Sequence, residues 1–170
     1  MDSSRENQGF DDRFAVPARQ FCAVVDAASS LSRKEFLNQV YLILPKLIDQ
    51  GICMPDVELD DSNEEATDHA SRQGHQEWKR PFDLLREKLG DWDSYRLFFD
   101  PIGDTESIKG SLADDLADIY HDLKEMLVEN EAGPLSPEDR IWEWRFSFRT
   151  HWGKHAIDAL NVIHILHHYR

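Results

Sequence analysis

Apolar residues recur at three- and four-residue spacing along most of this chain, and that period predicts helices. Phe14, Phe21, Val24, Val25 and Ala28 form a first stripe behind Pro17, a residue suited to a first helical turn because its missing N–H costs nothing there. Residues 1–12 carry no such stripe and predict a flexible polar arm. Ser32-Arg-Lys-Glu35 has the form of a capping box, in which side chains satisfy the orphan N–H groups of a helix start. The stripe Phe36, Leu37, Val40, Tyr41, Leu44, Leu47 and Ile48 follows it to Gly51, with a kink expected at Pro45. Trp78, Phe82, Leu85 and Leu89 predict a third helix, with Pro81 in its first turn or bending it and Gly90 closing it. Ser111-Leu-Ala-Asp114 opens a fourth, whose stripe Leu112, Leu116, Ile119, Leu123, Met126 and Leu127 runs towards Gly133-Pro134.

Three stretches depart from this pattern. Trp142, Trp144, Phe146 and Phe148 alternate with polar residues, which is a strand period over seven positions. Ile141, Trp144, Phe148, Trp152, Ala159, Ile163 and Leu166 carry a helical stripe through and beyond them. The longer pattern predicts a fifth helix, opened by Ser136-Pro-Glu-Asp139, with Gly153 at a close contact or a bend. Tyr95-Arg-Leu-Phe-Phe-Asp-Pro101 fits a helical turn or an extended piece stopped by proline. Residues 55–74 are acidic and almost without large apolar side chains, so they cannot bury enough surface to offset ordering and predict a mobile loop. A calcium loop there would need regular oxygen spacing and a turn glycine that the stretch lacks. With no clear strand pair, the expected fold is all-α: a single-domain bundle of about five helices over residues 13–170, with a long acidic loop between helices 2 and 3.

At 170 residues the chain can bury a core without disulfides. Acidic residues outnumber basic ones 33 to 19, for a net charge of −14, which disfavours nucleic acid and anionic lipid as partners. No run approaches the roughly 20 apolar residues of a membrane helix. The amino-terminal residues lack the apolar core of a secretory signal, so a cytoplasmic location is expected. Cys22 and Cys53 are far apart and read as reduced structural thiols.

The candidate chemistry lies on two helices. At about 100° per residue, Asp115 and Asp122 border the apolar stripe of the fourth helix, Asp118 lies one step further round, and Asp114 nearly opposite the core. On the fifth, His155 falls inside the stripe, with His151 and Asp158 on its border. If the two helices pack face to face, these residues converge. Histidines four apart with bordering carboxylates can hold magnesium, manganese or zinc, the ligands being drawn from Asp115, Asp118, Asp122, His151 and His155, with Asp158 orienting a histidine. Such an ion could polarise a phosphate ester or nucleotide and activate water for hydrolysis. The spacing does not demand it: neither Glu-x-x-His nor His-Glu-x-x-His occurs.

Asp114 and Asp115 also have structural employment at the start of their helix, as capping acid and dipole partner. A histidine on an apolar face is commonly a hydrogen-bonded core residue, here tied to Asp118 or Asp122. His164, His167 and His168 crowd the carboxyl end, where a helix favours cations. Trp142, Trp144 and Trp152 read as core. There is no phosphate loop, nucleophile elbow or paired CxxC. The favoured reading is therefore a non-enzymatic module acting through a protein partner, a small ligand or self-association, with the Asp and His cluster as a structural network. The alternative is the metal-dependent hydrolase.

Tyr95–Pro101, Leu112-Ala-Asp-Asp-Leu-Ala-Asp-Ile-Tyr-His-Asp-Leu123, and Trp142-Glu-Trp-Arg-Phe-Ser-Phe-Arg-Thr-His-Trp-Gly-Lys-His155 resemble the bacterial family named domain of unknown function 5063. The similarity runs from Phe14 to the carboxyl terminus and includes Leu44-Pro-Lys-Leu47. The resemblance implies a compact helical bacterial protein and brings no activity, substrate or residue role.

Overall fold

The computed structural model describes residues 3–57, 72–132 and 136–170. Its helices are α1 (Ser3–Asp26), α2 (Arg33–Ile52), α3 (Arg72–Leu89), α4 (Leu112–Ala132), α5 (Pro137–Ser147) and α6 (Gly153–Tyr169). A single π-helical turn, Phe148–Trp152, joins α5 to α6 as one rod. The fold is all-α apart from one antiparallel ribbon, β1 (Ser94–Leu97) with β2 (Ile108–Ser111). Helix α4 packs against α1, α3 and α6, while α2 leans on α1 and α6. Phe14, Phe21, Phe36, Leu44, Leu116, Trp144 and Trp152 are among the side chains fully buried between them. Each large apolar side chain so removed from water stabilises the fold by about 1.5–3 kcal/mol. Phe14 is the hub of the aromatic part, its ring centroid 4.5 Å from that of Trp144 and 6.0 Å from that of Trp152.

The helix starts follow the capping chemistry. Ser32 accepts from the Glu35 N–H while Glu35 accepts from the Ser32 N–H, a complete capping box. Ser136 accepts from the Asp139 N–H at 3.0 Å, with Pro137 in the first turn. At α4, Ser111 Oγ accepts from the Asp114 N–H at 3.2 Å. The acid of that start comes from across the ribbon: Asp93 Oδ1 accepts from Ser111 Oγ and from the Ala113 N–H, both at 2.8 Å, and the Asp93 carbonyl accepts from the Leu112 N–H at 2.8 Å. Asp114 thus contributes its backbone N–H, and the capping carboxylate is Asp93.

The structure corrects several expectations. Helix α1 begins at Ser3, ahead of its apolar stripe, so residues 3–12 extend the helix and Pro17 lies in its interior rather than its first turn. Pro81 is likewise internal to α3, which starts at Arg72 and takes residues 72–74 from the expected loop. Residues 55–57 carry no regular structure, and positions 58–71 of that loop lie outside the described residues. The strand pair is the main difference: four residues a side are too few for a two-residue period to stand out, and ten residues separate the two strands in sequence. Trp142 is half-buried, stacked on Phe146 at 5.1 Å, rather than core.

The π turn accounts for the mixed period near Trp144. Widening the ladder by one residue re-phases the rod, so that Ile141 and Trp144 before it and Trp152, Ala156, Ala159 and Ile163 after it all face the core. Phe148 sits at the turn between two glycines. A Cβ on Gly51 would lie 2.5 Å from the Phe148 ring, and one on Gly153 would collide with the Phe148 carbonyl oxygen. Gly153 is therefore a close contact between successive turns.

Candidate metal centre at the seam of α4 and α6

The seam between α4 and α6 brings the acidic and histidine motifs together. Asp115 is 5% exposed, the one buried charged side chain among the described residues. Its two oxygens are both engaged: Tyr95 Oη donates to Oδ2 at 2.6 Å and His155 Nδ1 lies 2.8 Å from Oδ1. Tyr95 reaches Asp115 because its ring crosses the ribbon over Gly110, the residue opposite it, where a Cβ would sit 2.6 Å from the ring. On the other side of the His155 ring, Nε2 lies 3.5 Å from Asp118 Oδ2. One turn away the pattern repeats, with His151 Nδ1 2.9 Å from Asp122 Oδ2 and Ser147 Oγ donating to the same oxygen at 2.7 Å. The two imidazole centroids are 5.1 Å apart.

One ligand atom each from Asp118, His151 and His155 lies within 4.8 Å of the others, an arrangement able to hold a metal ion. Asp115 and Asp122 stand behind the two imidazoles. Asp158 is turned to Lys154, 2.6 Å away, and acts on the seam only through its charge. Sequence reasoning named these six residues but paired His155 with Asp118 or Asp122; its hydrogen-bond partner is Asp115. It missed Tyr95, Ser147 and Asp93. Tyr95 carried a signal as the one hydroxyl-bearing ring of the run Tyr95–Pro101, but its reach to Asp115 depends on a ribbon that four-residue strands did not announce.

Electrostatics favour positive charge in this seam. His155 is held above the ordinary imidazole range by its hydrogen bond to Asp115, against the opposing effect of burial, and His151 likewise by Asp122. Asp115 is itself pushed up, because burial outweighs the hydrogen bonds from His155 and Tyr95. Burial and the neighbouring Asp118 and Asp115 raise Asp114 as well. A histidine raised on folding contributes stability that is complete below its unfolded value, about 6.5, and is lost as pH rises through the folded value. Burial of ionised Asp115 adds a cost of the same sign. We expect the metal-free protein to lose stability as pH rises from about 6 to 9, measured by urea unfolding. The His151→Gln/His155→Gln double variant should show a shallower slope; an unchanged slope would remove both imidazoles from the proton balance.

The model of the family described as domain of unknown function 5063 matches residues 5–169, nearly the whole chain. This chain belongs to that family. A crystal structure of a Bacteroides fragilis protein shares the fold of this family member, with a TM-score of 0.74 at 23% identity over 93% of this chain and 92% of that one. No curated protein matches it. Membership in domain of unknown function 5063 thus fits the helical architecture and leaves the chemistry to be read from the seam. Among the described residues of this family member, no helix is long and apolar enough to cross a membrane. Cys22 is buried, its thiol pushed up to about 12 by that burial, and Cys53 is exposed at the end of α2; both are free.

Proposed function

We propose that this chain is a non-enzymatic binding module whose α4/α6 seam holds one divalent transition-metal ion. Asp118, His151 and His155 are the ligands, and Asp115 and Asp122 orient the imidazoles. The observation that carries this reading is the position of His155 between two carboxylates, at 2.8 Å on Nδ1 and 3.5 Å on Nε2. A neutral imidazole has one N–H and cannot donate to both, so the second nitrogen needs a proton or a metal. The longer distance is beyond a good hydrogen bond, yet two ligands on a tetrahedral zinc, each about 2.1 Å from it, lie about 3.4 Å apart. Carboxylates behind metal-bound imidazoles are a recurrent second layer that fixes ring orientation. Mixed nitrogen and oxygen ligands favour zinc over magnesium, with manganese next.

Binding fits better than the hydrolase because the carboxylates that a proton relay would use are committed. Asp115 serves Tyr95 and His155, Asp122 serves His151 and Ser147, and Asp158 serves Lys154. The free thiols suit a reducing cytoplasm. A second reading, a proton in place of the ion, is favoured by the buried Asp115, both of whose oxygens are already satisfied.

The deciding experiment is elemental mass spectrometry on untagged protein purified without chelator, followed by calorimetric titration with zinc and manganese. One equivalent of metal is expected, abolished by Asp118→Ala and His155→Ala with the helical signal retained. Asp122→Asn, behind His151, should weaken affinity by about 10- to 100-fold. A protein that takes up neither ion assigns the seam to protons and to structure.

A further inference from the structure

Each strand of the described two-stranded ribbon has an outer edge without a strand partner, and β1 is the strand whose residues line a groove. The Asp93 carbonyl accepts from the Leu112 N–H, which makes Asp93 and Leu112 a hydrogen-bonded pair. Given the register, the alternation of an antiparallel ladder makes Tyr95 with Gly110 and Leu97 with Ile108 the next such pairs. Ser94 and Arg96 therefore turn their N–H and C=O groups away from β2. The described sheet has only these two strands, so nothing in it pairs with that edge.

Tyr95, Arg96 and Leu97 of β1, with Phe98 and Phe99 beyond it, form one wall of a groove of about 700 Å³, whose other wall is built from the π turn and α6. Three of the lining residues, Arg96, Arg149 and Lys154, are cationic and one, Asp158, is anionic, within a chain of net charge −14. Arg149 is exposed, and its charge reaches Asp56, whose carboxyl it helps to hold below the usual range. Lys154 extends over the Phe99 ring, 5.5 Å from its centroid. Phe98, Phe99 and Ile157 are 47%, 66% and 53% exposed. An accessible strand edge supplies main-chain hydrogen bonds, and apolar surface beside it receives alternate side chains of an added strand.

We propose that β1 takes an extended acidic segment of a partner protein as a third strand, laid in the groove between the ribbon and α6. The free edge of β1 selects extended backbone over a compact ligand, and Arg149 with Arg96 selects acidic side chains. The exposed aromatic residues cover the apolar positions in between. None of Asp118, His151 and His155 lines this groove, so it can be occupied with the metal centre empty.

The test is titration with an end-blocked octapeptide of alternating Glu and Val, together with its fully N-methylated form and its Lys-for-Glu form. Saturable binding of the first is expected, with slowed amide exchange at Arg96 and little change at Tyr95 and Leu97. Binding should fall at least tenfold on N-methylation, on exchange of Glu for Lys, and in the Arg149→Glu variant, whose circular dichroism should match the parent. Chelator-treated protein should still bind the first peptide saturably, so failure here leaves the metal titration to stand by itself. Absence of saturable binding overturns the proposal. Equal binding of the N-methylated peptide overturns it in favour of simple anion attraction, and a dimer with Arg96 protected before peptide is added overturns it in favour of a second copy of this chain.

Discussion

Replacing Gly153 by alanine is expected to destabilise the protein by about 3 kcal/mol, the upper part of the range for forcing extra volume into a packed site. At this chain length that corresponds to a fall in Tm of about 6–12 °C by thermal circular dichroism. The reason is the identity of the obstructing atom. A Cβ at 153 meets the carbonyl oxygen of Phe148, part of the backbone of the π turn, so relief requires the turn to move. At Gly51 the added Cβ meets only the Phe148 ring, at 2.5 Å, which can rotate or shift, and Gly51→Ala should cost about half as much. The turn also carries His151, so Gly153→Ala should weaken the zinc uptake proposed for the seam in the protein that remains folded. A variant with unaltered Tm would show that the turn relaxes freely and that the closeness at Gly153 has no structural consequence.

Asp115→Ala is expected to cost about 3–5 kcal/mol, the range for removing one partner of a buried charge pair. It strips acceptors from both Tyr95 Oη and His155 Nδ1 at once. The lower end is expected, because Asp114 and Asp158 repel Asp115 and that repulsion disappears with it. Asp115→Asn keeps an oxygen for Tyr95 and should cost less. The penalty of the alanine variant should be larger at pH 6, where His155 is protonated, than at pH 8. Urea unfolding at the two values checks this, and a double-mutant cycle with His155→Ala isolates the pair. A cost below about 1 kcal/mol at both pH values would mean that the seam contributes no stability and that Asp115 is retained for some other purpose.

How much of this could be read from the chain depends on the range of each interaction. The cap at Ser32 and Glu35 and the one at Ser136 and Asp139 act within four residues, so their sequence signature was sufficient. The stripe of α4 was equally legible, because its side chains repeat with the helix. Asp115, Asp118 and Asp122 could be placed on one edge by angle alone, but which of them meets His155 depends on the axial offset between α4 and α6, which no local pattern encodes. Tyr95 and Asp93 were out of reach for the same reason: each acts across the ribbon on Ser111 or the first turn of α4, 18 to 20 positions away. The π turn left a visible trace, the conflict between period two and period 3.6 from Trp142 to Phe148, without disclosing that one extra residue in the ladder reconciles them.

Asp93 binds the first turn of α4 through its side chain and its carbonyl together, so the ribbon and the helix share a joint. Tyr95, two residues along β1, holds Asp115, which lies within that same turn. The ribbon is thereby a short lever fixed at two points to the start of α4. Torque applied to β1 is delivered to the residue that anchors His155.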